Sequence, residues 1–473
     1  MGTRPIGPVD TIWLHMDRPN NLMVIDTLVF LDGPADWDRL LGVMVERMVD
    51  VYPVFRQRPV MPHAHVGLPH WEDDPDFDLE RHLVRVTLPG SDDRALQEYV
   101  ESQIPVSLDR EHPLWQLHLV DGFAEGSVVF CRLHHALADG IALTRVLLSL
   151  TEETPDGDPD DRPEPPEQPV QVVRDDLDGL GLVDGARLLV KAAGSATAAL
   201  AGAATHLALD LPRIVTPHLA GQVLTQTRRT GAIVNKLVLG PRPESPFSGT
   251  PGVAKRAVWS GRFPLADVKH VGRLCEATVN DVLLASVAGA LRTYVAEHGG
   301  EAEDLGTMVP VNVRDLEAPL PNELGNQFAL VLFKYPTGVH GALARIAETK
   351  RRMDVIKDSA EVMLTFTLIK AIGGTGPEVE RFLVDFFAGK AIGVTTNVPG
   401  PGEPRYLGGS RITGLLGWVP GSGEQTVGVS VFTYDGSIRV GFKVDAGLVP
   451  DPERLVAAFD EEMAELTRLA HAV

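Results

Sequence analysis

The chain has 473 residues, of which 44% are apolar and 23% are charged, a composition typical of folded globular proteins that excludes wholesale disorder. Its 43 Lys and Arg residues stand against 64 Asp and Glu residues, giving a net charge of −21. Such an acidic chain is not expected to bind nucleic acid or to adhere electrostatically to anionic lipid, because both need a basic face.

Two features of the sequence concern its compartment. Residues 1–21 lack the apolar core of a secretory signal, and two cysteines, Cys131 and Cys275, are too few for a disulfide framework. The uncharged stretch over residues 192–209 is dominated by alanine and is a weak candidate for a membrane span. We therefore expect a cytoplasmic protein that is soluble or peripheral to a membrane.

The first third of the chain alternates between strand and helix patterns. Apolar residues at helical spacing predict helices over residues 37–51 and 141–150. Runs rich in β-branched and aromatic residues predict extended segments over residues 22–31, 81–88, 118–120 and 127–133.

The composition changes sharply at residue 151. Residues 151–169 are acidic and rich in proline, which predicts an exposed linker, and an Ala- and Leu-rich helical connector follows. Beyond it the patterns predict helices over 263–274, 280–298 and 452–470, and strands over 307–313, 327–333, 392–396, 426–434 and 437–444. The sequence thus predicts two α/β halves, residues 1–150 and 246–473, joined by a connector over residues 151–245.

A pair of histidines follows the strand predicted at residues 127–133, in the segment HHALADG. Adjacent side chains at a strand end point to opposite sides, so only one of His134 and His135 can face a given cavity. A histidine there is a natural general base for a hydroxyl group. Asp139 suits a helix N-cap or an ion pair, and Gly140 permits close approach or unusual backbone angles. A metal site is not expected, because two His and one Asp here lack the usual ligand spacing and a further strong ligand.

This segment resembles the HHxxxDG motif of the CoA-dependent acyltransferase superfamily, which includes chloramphenicol acetyltransferase and peptide-synthetase condensation domains. Further segments are similar to those of one family within it, the bacterial wax ester synthase/acyl-CoA:diacylglycerol acyltransferases. In chain order these are Leu108-Asp109-Arg110 with Pro113-Leu114-Trp115, Asn280-Asp281, the VPVNVR segment over residues 309–314, and Asn397-Val398-Pro399-Gly400-Pro401. Gln116 and Thr396 depart from the Glu and Ser that are commoner in that family at these positions.

The resemblance implies an α/β fold of the α+β type. In that family two chloramphenicol-acetyltransferase-like halves, each with a mixed sheet and covering helices, enclose an active-site tunnel. The implied function is acyl-CoA-dependent O-acyl transfer to diacylglycerol, with long-chain alcohols as further acceptors. Long-chain acyl-CoA is then a substrate, and no cofactor is expected.

The resemblance also implies roles for the motif residues. His135 would act as the general base in direct transfer without an acyl-enzyme, and the chain lacks the G-x-S-x-G elbow of serine acyl-enzymes. His134 would support the loop and Gly140 would shape it. Asp139 would form a structural ion pair, for which Arg314 is a candidate partner.

Three residues outside the motif are candidate substrate contacts. They are Asn280, Asn397 and Trp115, although the favoured explanations for them are structural: a helix cap, a rigid turn and a core aromatic, respectively. The densest basic run, Lys350-Arg351-Arg352, could meet the CoA phosphates or form a solvated helix face.

Two other functions remain open at this point. One is acyl transfer to a complex or polyketide-derived lipid alcohol, and the other is a non-catalytic acyl-binding protein that coats lipid droplets. The intact HHxxxDG motif argues against the second. Because such substrates reside in bilayers or droplets, we expect peripheral binding at the inner membrane or at lipid droplets through an apolar patch around residues 188–211.

Overall fold

Two mixed β-sheets form the frame of the molecule. The computed structural model describes residues 3–62, 69–157, 244–301, 303–313, 319–357, 361–373 and 377–471. Most of the predicted connector, including the patch expected around residues 188–211, lies outside the described residues, as does Arg314.

The described strands and helices are numbered in chain order. The strands are β1 (Thr3–Pro5), β2 (Val24–Leu31), β3 (Gln57–Val60), β4 (His70–Asp73), β5 (Leu83–Thr87), β6 (Trp115–Phe123), β7 (Gly126–His134), β8 (Lys255–Trp259), β9 (Phe263–Pro264), β10 (Leu305–Asn312), β11 (Phe328–Tyr335), β12 (Gly393–Pro399), β13 (Tyr406–Leu407), β14 (Ser410–Trp418), β15 (Val427–Tyr434) and β16 (Ser437–Asp445). The helices are α1 (Pro8–Met16), α2 (Trp37–Met44), α3 (Asp93–Gln103), α4 (Gly140–Ser149), α5 (Leu265–Leu274), α6 (Val279–Glu297), α7 (Ala342–Lys357), α8 (Glu361–Ile372), α9 (Pro377–Ala388) and α10 (Glu453–His471).

The first sheet has six strands in the order β13-β14-β2-β7-β6-β5, and its pairs are antiparallel except for β5 with β6. One face packs against α2 and α4, which contribute Leu40, Met44 and Leu143 to the core there. The other face meets α3 and β8 of the second sheet, with Trp259 in that layer. Because both faces are covered, all eight residues of β2 are buried.

The second sheet has seven strands, six of them in the order β11-β10-β12-β15-β16-β8, with β9 paired to β16. Its β10, β12 and β15 run parallel, and the other pairs are antiparallel. Helices α6 and α10 cover this sheet and share its apolar core, with Tyr294 and Phe459 fully buried. The fold therefore consists of mixed sheets with covering helices, as predicted.

The first sheet is completed by residues from the far end of the chain. Strand β14 pairs antiparallel with β2, placing Leu416 opposite Leu28 and Leu415 opposite Val29. Strand β13 then pairs with β14 at the sheet edge. The two sheets are therefore interlocked, because residues beyond 400 contribute strands to both.

Most predicted elements occur within a few residues of their expected positions, but two differ in detail. The helix predicted over residues 37–51 is α-helical only to Met44, after which Val45–Val49 forms a π-helical turn before Pro53. The helix predicted to begin at residue 263 begins at Leu265, because Phe263–Pro264 pairs with β16. Among the described elements, those that were not predicted are helices α1, α3, α7, α8 and α9 and strands β1, β3, β4, β8, β9, β13 and β14.

Within the described ranges, no single helix is both long and apolar enough to cross a membrane. The bent pair α5 and α6 passes such a test by length and composition when taken together. Helix α6 nevertheless belongs to the core of the second half, where Val282, Leu291 and Tyr294 are fully buried.

Candidate active site

The histidine pair lies where β7 leaves the first sheet. The backbone N–H of His135 donates to the carbonyl of Met23 at 2.8 Å, which continues the pairing of β7 with β2 by one step. Five residues later α4 begins at Gly140, with Asp139 as its N-cap. The two histidine side chains therefore leave the backbone on opposite sides, as the alternation of a strand requires.

His134 faces a charged neighbourhood inside the protein. Its side chain is almost fully buried, its Nδ1 accepts from the backbone N–H of Ala136 at 3.1 Å, and its Nε2 lies 3.4 Å from Oδ2 of Asp17. Burial lowers the pKa of His134, although the nearby Asp17 opposes this. His134 thus accepts a backbone hydrogen bond at Nδ1 and places Nε2 beside Asp17, the residue that follows α1, so its side chain packs the turn against the end of α1.

His135 faces an amide instead of a carboxylate. Its Nδ1 lies 3.0 Å from Oδ1 of Asn326, while the Nδ2 of Asn326 donates to Oδ1 of Asp10 at 2.7 Å and to the carbonyl of His135 at 2.8 Å. Both partners of that amide nitrogen are acceptors, so the orientation of Asn326 is fixed. Its oxygen can only accept, so Nδ1 of His135 carries the proton and Nε2 is left as the basic nitrogen.

His135 is buried among aromatic side chains. The indole of Trp13 stacks on the imidazole with centroids 4.0 Å apart and planes 19° apart, and Phe328 lies 5.9 Å away. Burial lowers the pKa of His135 to about 4, because an imidazolium would lose most of its hydration there. At neutral pH the side chain is therefore an unprotonated base held in one orientation.

His135 lines a cavity of about 1370 Å³, here called the catalytic cavity. The first half contributes Trp13, His135 and the start of α4, and the second half contributes residues of β10, β11, β12, α8 and α9. Most of the lining is apolar, with a few amide and hydroxyl groups such as Asn397 and Gln425. The cavity lies between the two halves, where the tunnel was expected.

A second cavity of about 1020 Å³, here called the sheet–helix cavity, lies between the first sheet and helices α2 and α4. Its lining is aliphatic apart from Cys131, a few threonines and two aromatic side chains. Gly140, Thr396, Val398 and Val419 line both cavities. The two spaces therefore meet at the start of α4.

Asp139 anchors the loop through backbone amides. Its Oδ1 accepts from Ala142 N–H at 2.9 Å, and its Oδ2 accepts from Gln327 N–H at 2.9 Å. The second bond joins the histidine loop to the residue that follows Asn326. The expected ion pair with Arg314 involves a residue outside the described ranges and stays a prediction, whereas the N-cap alternative is seen directly.

Gly140 corrects one expectation. It was expected to allow close approach or unusual backbone angles, and the second alternative is wrong, because Gly140 is the first residue of α4 and is not among the residues with positive φ. A Cβ atom at this position would meet no atom within 4 Å. The glycine therefore leaves open space where the two cavities meet.

Asn280 and Asn397 are brought together, and Nδ2 of Asn397 donates to Oδ1 of Asn280 at 3.3 Å. Asn397 also lines the catalytic cavity. The alternative that Asn280 caps its helix is wrong, because Thr278 is the N-cap and forms a capping box with Asp281.

The structure does not bring Trp115 to either cavity. Its indole is 1% exposed, donates to the carbonyl of Phe55 at 2.9 Å, and stacks on His82 with centroids 4.3 Å apart. Its hydrogen bond is thus satisfied inside the core of the first half. Trp115 has the structural role and makes no substrate contact in this arrangement.

The basic run in α7 is matched by acidic side chains. Lys350 pairs with Asp354 at 2.6 Å, Arg351 with Glu348 at 2.7 Å, and Arg352 with Asp304 at 2.7 Å. Each cation of the run therefore already has a carboxylate partner within the protein. The solvated helix face explains this run better than a phosphate site does.

Sequence reasoning missed three residues that build the site: Asp10, Trp13 and Asn326. Each is far in sequence from His135, and each reaches it only through the packing of α1 and of the segment before β11. The apolar spacing of residues 8–16 after Pro8 was a usable signal for α1. No local pattern would have paired Asn326 with the histidine.

Comparison with known proteins gives the same assignment for nearly the whole chain. The model of the wax ester synthase/diacylglycerol acyltransferase catalytic domain matches residues 6–283, and that of the WS/DGAT C-terminal domain matches residues 324–467. The probable diacylglycerol O-acyltransferase tgs1 of Mycobacterium tuberculosis is 27% identical over 458 residues, covering 95% of this chain and 92% of its own. A putative diacylglycerol O-acyltransferase of the same organism is 29% identical over 490 residues, covering 99% and 98%.

Solved structures support the fold. The wax ester synthase/diacylglycerol acyltransferase from Marinobacter aquaeolei VT8 superposes with a TM-score of 0.67 at 21% identity, covering 99% of this chain and 100% of that one. The first condensation domain of the calcium-dependent antibiotic synthetase superposes with a TM-score of 0.57 at 14% identity, covering 99% and 98%. The chain is an acyltransferase and belongs to the wax ester synthase/diacylglycerol acyltransferase family.

Proposed function

We propose that this acyltransferase transfers the acyl group of a long-chain acyl-CoA directly to diacylglycerol, with long-chain alcohols as further acceptors and His135 as the general base. The observation that carries the proposal is the hydrogen bond between His135 and Asn326, from which the tautomer of His135 follows. Its Nδ1 is held by Asn326 at 3.0 Å, so the nitrogen left for a substrate in the catalytic cavity is the basic Nε2.

The reaction needs one base that can return its proton. The acceptor oxygen bonds to the thioester carbonyl carbon while its proton passes to Nε2 of His135. When the tetrahedral intermediate collapses, the C–S bond breaks and the CoA thiolate takes that proton from Nε2. General-base catalysis of this kind is typically worth roughly 10²–10⁴-fold, and holding both substrates in one cavity supplies a further entropic advantage.

The fixed imidazole suits both halves of this cycle. Asn326 accepts from Nδ1 in the neutral and in the protonated state, so the ring does not have to turn between the two proton transfers. Asp10 orients Asn326 by accepting two hydrogen bonds at its Oδ1. The backbone N–H of Asn326 donates one at 2.8 Å, and the side-chain Nδ2 of Asn326 donates the other at 2.7 Å. The side-chain amide of Asn326 thus orients the imidazole of His135 and stabilises its positive charge when it is protonated. No proton has to pass through the amide.

The choice of acceptor is supported by two observations. The relatives that cover the chain are named as diacylglycerol O-acyltransferases. The catalytic cavity is large and mostly apolar, with amide groups such as Asn397 and Gln425 in its wall. Such a lining suits a lipid that carries alkyl chains beside ester and hydroxyl groups.

The test is thiol release from palmitoyl-CoA by the purified protein, with and without dioleoylglycerol, followed by identification of the ester. Release that depends on the diacylglycerol and yields triacylglycerol is the expected result. An acceptor panel with hexadecanol and complex lipid alcohols checks the other substrates. Release only with a complex alcohol would replace the proposed acceptor, and tight acyl-CoA binding without release to any acceptor would overturn the catalytic proposal.

We propose further that the protein works at the surface of the inner membrane or of lipid droplets, because diacylglycerol is found there. With a net charge of −21, attachment through apolar surface is favoured over attachment through basic residues. Flotation with phosphatidylcholine vesicles containing diacylglycerol should therefore persist as salt is raised. Release at moderate salt would indicate an electrostatic patch, and the absence of flotation at any salt would contradict surface binding.

A further inference from the structure

The sheet–helix cavity has no part in the chemistry described so far. Its floor is one face of the first sheet, where β7 contributes Val129, Cys131 and Leu133 as alternate residues. Their partners on β2 are also in the lining, with Val29 opposite Val129 and Ile25 opposite Leu133. The cavity therefore runs along these strands and away from the histidines.

Space of this kind inside a sheet–helix core is unusual. Protein interiors are close-packed, and an empty apolar cavity costs free energy in proportion to its volume. An aliphatic lining gives water few hydrogen-bond partners, so such a cavity stays dry or takes an apolar ligand. The geometry therefore favours an apolar occupant of elongated shape.

The sheet–helix cavity also opens toward the catalytic base. Gly140 lines both cavities and lies five residues after His135, and a Cβ atom there would meet no atom within 4 Å. Thr396 and Val398 of β12 line both cavities from the opposite side. An alkyl chain can therefore lie in one cavity while the group at its end lies in the other.

We propose that the sheet–helix cavity binds the acyl chain of the acyl-CoA, and that Cys131 and Val129 measure its length. This inference rests on the proposed function. An acyl-CoA carries a single alkyl chain, which suits a cavity confined between one sheet face and two helices. The larger catalytic cavity, with Asn397 and Gln425 in its wall, is then left for the several chains and ester groups of the acceptor.

The positions of these residues along β7 give the chain length that each should limit. A β-strand advances about 3.3 Å per residue, so Leu133, Cys131 and Val129 lie roughly 7, 13 and 20 Å from His135 along the strand direction. A bulky side chain at Cys131 should therefore stop a long chain midway. The same side chain at Val129 should affect only the distal end of the longest chains.

The test compares the variants Cys131→Phe and Val129→Phe across butyryl-, octanoyl- and palmitoyl-CoA with one fixed acceptor. We expect Cys131→Phe to lower kcat/KM for palmitoyl-CoA at least tenfold and to leave that for butyryl-CoA within twofold. Val129→Phe should give a smaller loss, confined to palmitoyl-CoA. The matched control is Cys275→Phe, since Cys275 ends α5 in the second half and lines neither cavity.

Several outcomes would overturn the inference. An unchanged chain-length profile in Cys131→Phe would do so, and so would a shift in the preferred length of alkanol acceptors instead of acyl donors. Retained turnover of butyryl-CoA shows that a variant is folded. If Cys131→Phe does not accumulate, Cys131→Leu carries the same expectation with a loss of about threefold, because its side chain is smaller.

A binding measurement separates this inference from the proposed function. Calorimetric titration of the wild-type protein and Cys131→Phe with palmitoyl-CoA and butyryl-CoA needs no turnover. We expect the substitution to weaken palmitoyl-CoA binding at least tenfold and butyryl-CoA binding by less than twofold. Equal affinities of the two proteins for palmitoyl-CoA would refute the acyl-chain site, whereas absence of transfer by the wild-type protein would refute only the proposed reaction.

Discussion

The two histidines at the end of β7 are neighbours in sequence, but they occupy opposite environments. His134 meets a carboxylate, Asp17, and is closed off inside the first half. His135 meets an amide, Asn326, stacks on Trp13 and faces the catalytic cavity. The comparison teaches that two identical residue types, adjacent in sequence, differ through the partner of the imidazole, and this difference supports the separate roles proposed for them.

The largest expected effect comes from removing the side chain that faces the cavity. His135→Ala should lower kcat/KM by roughly 10²–10⁴-fold, because the acceptor hydroxyl loses its base. The fold should persist, which circular dichroism and the Tm can check. Turnover near the wild-type level in this variant would rule out the catalytic assignment of His135.

The next effect comes from releasing His135 from its partner. Asn326→Ala should lower kcat by about 10–100-fold with little change in the KM for acyl-CoA, because Nδ1 and Nε2 can then exchange the proton. Gln327→Ala is the matched control, since the partner of Asp139 is its backbone N–H and survives the substitution. Equal losses of kcat in both variants would show that activity depends on the packing of this segment and not on the side-chain amide of Asn326.

Asp139→Ala should act through stability. The carboxylate accepts from two backbone amides, and losing these bonds should cost about 1–3 kcal/mol in the free energy of unfolding. Denaturant unfolding gives this value directly. Asp139→Asn, which keeps one acceptor oxygen, should recover part of it, and a stable but inactive Asp139→Ala protein would point to a chemical role instead.

Replacing the other histidine, His134, should mainly lower the free energy of unfolding. His134→Ala leaves Asp17 without its imidazole partner and a backbone N–H without its acceptor, so unfolding should become easier by about 1–3 kcal/mol. Activity should fall only in part. A loss of kcat as large as that of His135→Ala, without a change in stability, would break the distinction drawn between the two residues.

The smallest expected effect concerns pH. Burial lowers the pKa of His135 to about 4 and raises the pKa of Asp10, which holds Asn326, to about 6. In the variant Asp10→Asn, in which this carboxyl no longer titrates, kcat/KM should therefore stay level on moving from pH 7 toward pH 5 and should fall only as the pH approaches 4 and His135 becomes protonated. The unfolded chain takes up this proton near pH 6.5, so the same group destabilises the fold progressively between those values. The Tm across the range identifies acid unfolding. An activity loss centred near pH 6.5 in folded protein would contradict the buried, neutral imidazole.

The sequence predicted those features of the fold and of the site that depend on residues close together in the chain. The alternating and continuous apolar runs predicted most strands of both sheets, and the HHALADG segment identified His135 before any geometry was known. The capping pattern of Thr278 and Asp281 was also present, although Asn280 was considered for that cap. These features depend on spacings of a few residues, which a sequence displays directly.

The remaining features depend on residues that meet only in the folded protein. Asn326 and Asp10 reach His135 from elements hundreds of residues apart. Two acidic partners of the basic run, Glu348 and Asp354, lie three and four residues from it and were visible in the local sequence. Asp304, which also pairs with Arg352, comes from before β10 and was not. For the same reason Trp115 could not be assigned to the core until its bond to the carbonyl of Phe55 was seen.

The pairing of β14 with β2 has a consequence for synthesis on the ribosome. Strand β2 has β7 on one side and β14 on the other. Synthesis of β7 is complete at His134, but β14 begins only at Ser410. At about 5–20 residues per second, that interval lasts on the order of tens of seconds. Throughout it, the apolar strand Val24–Leu31 is an unpaired edge that can join another nascent chain. Yield in a heterologous host should therefore depend on chaperones that shield this edge until the last third of the protein emerges.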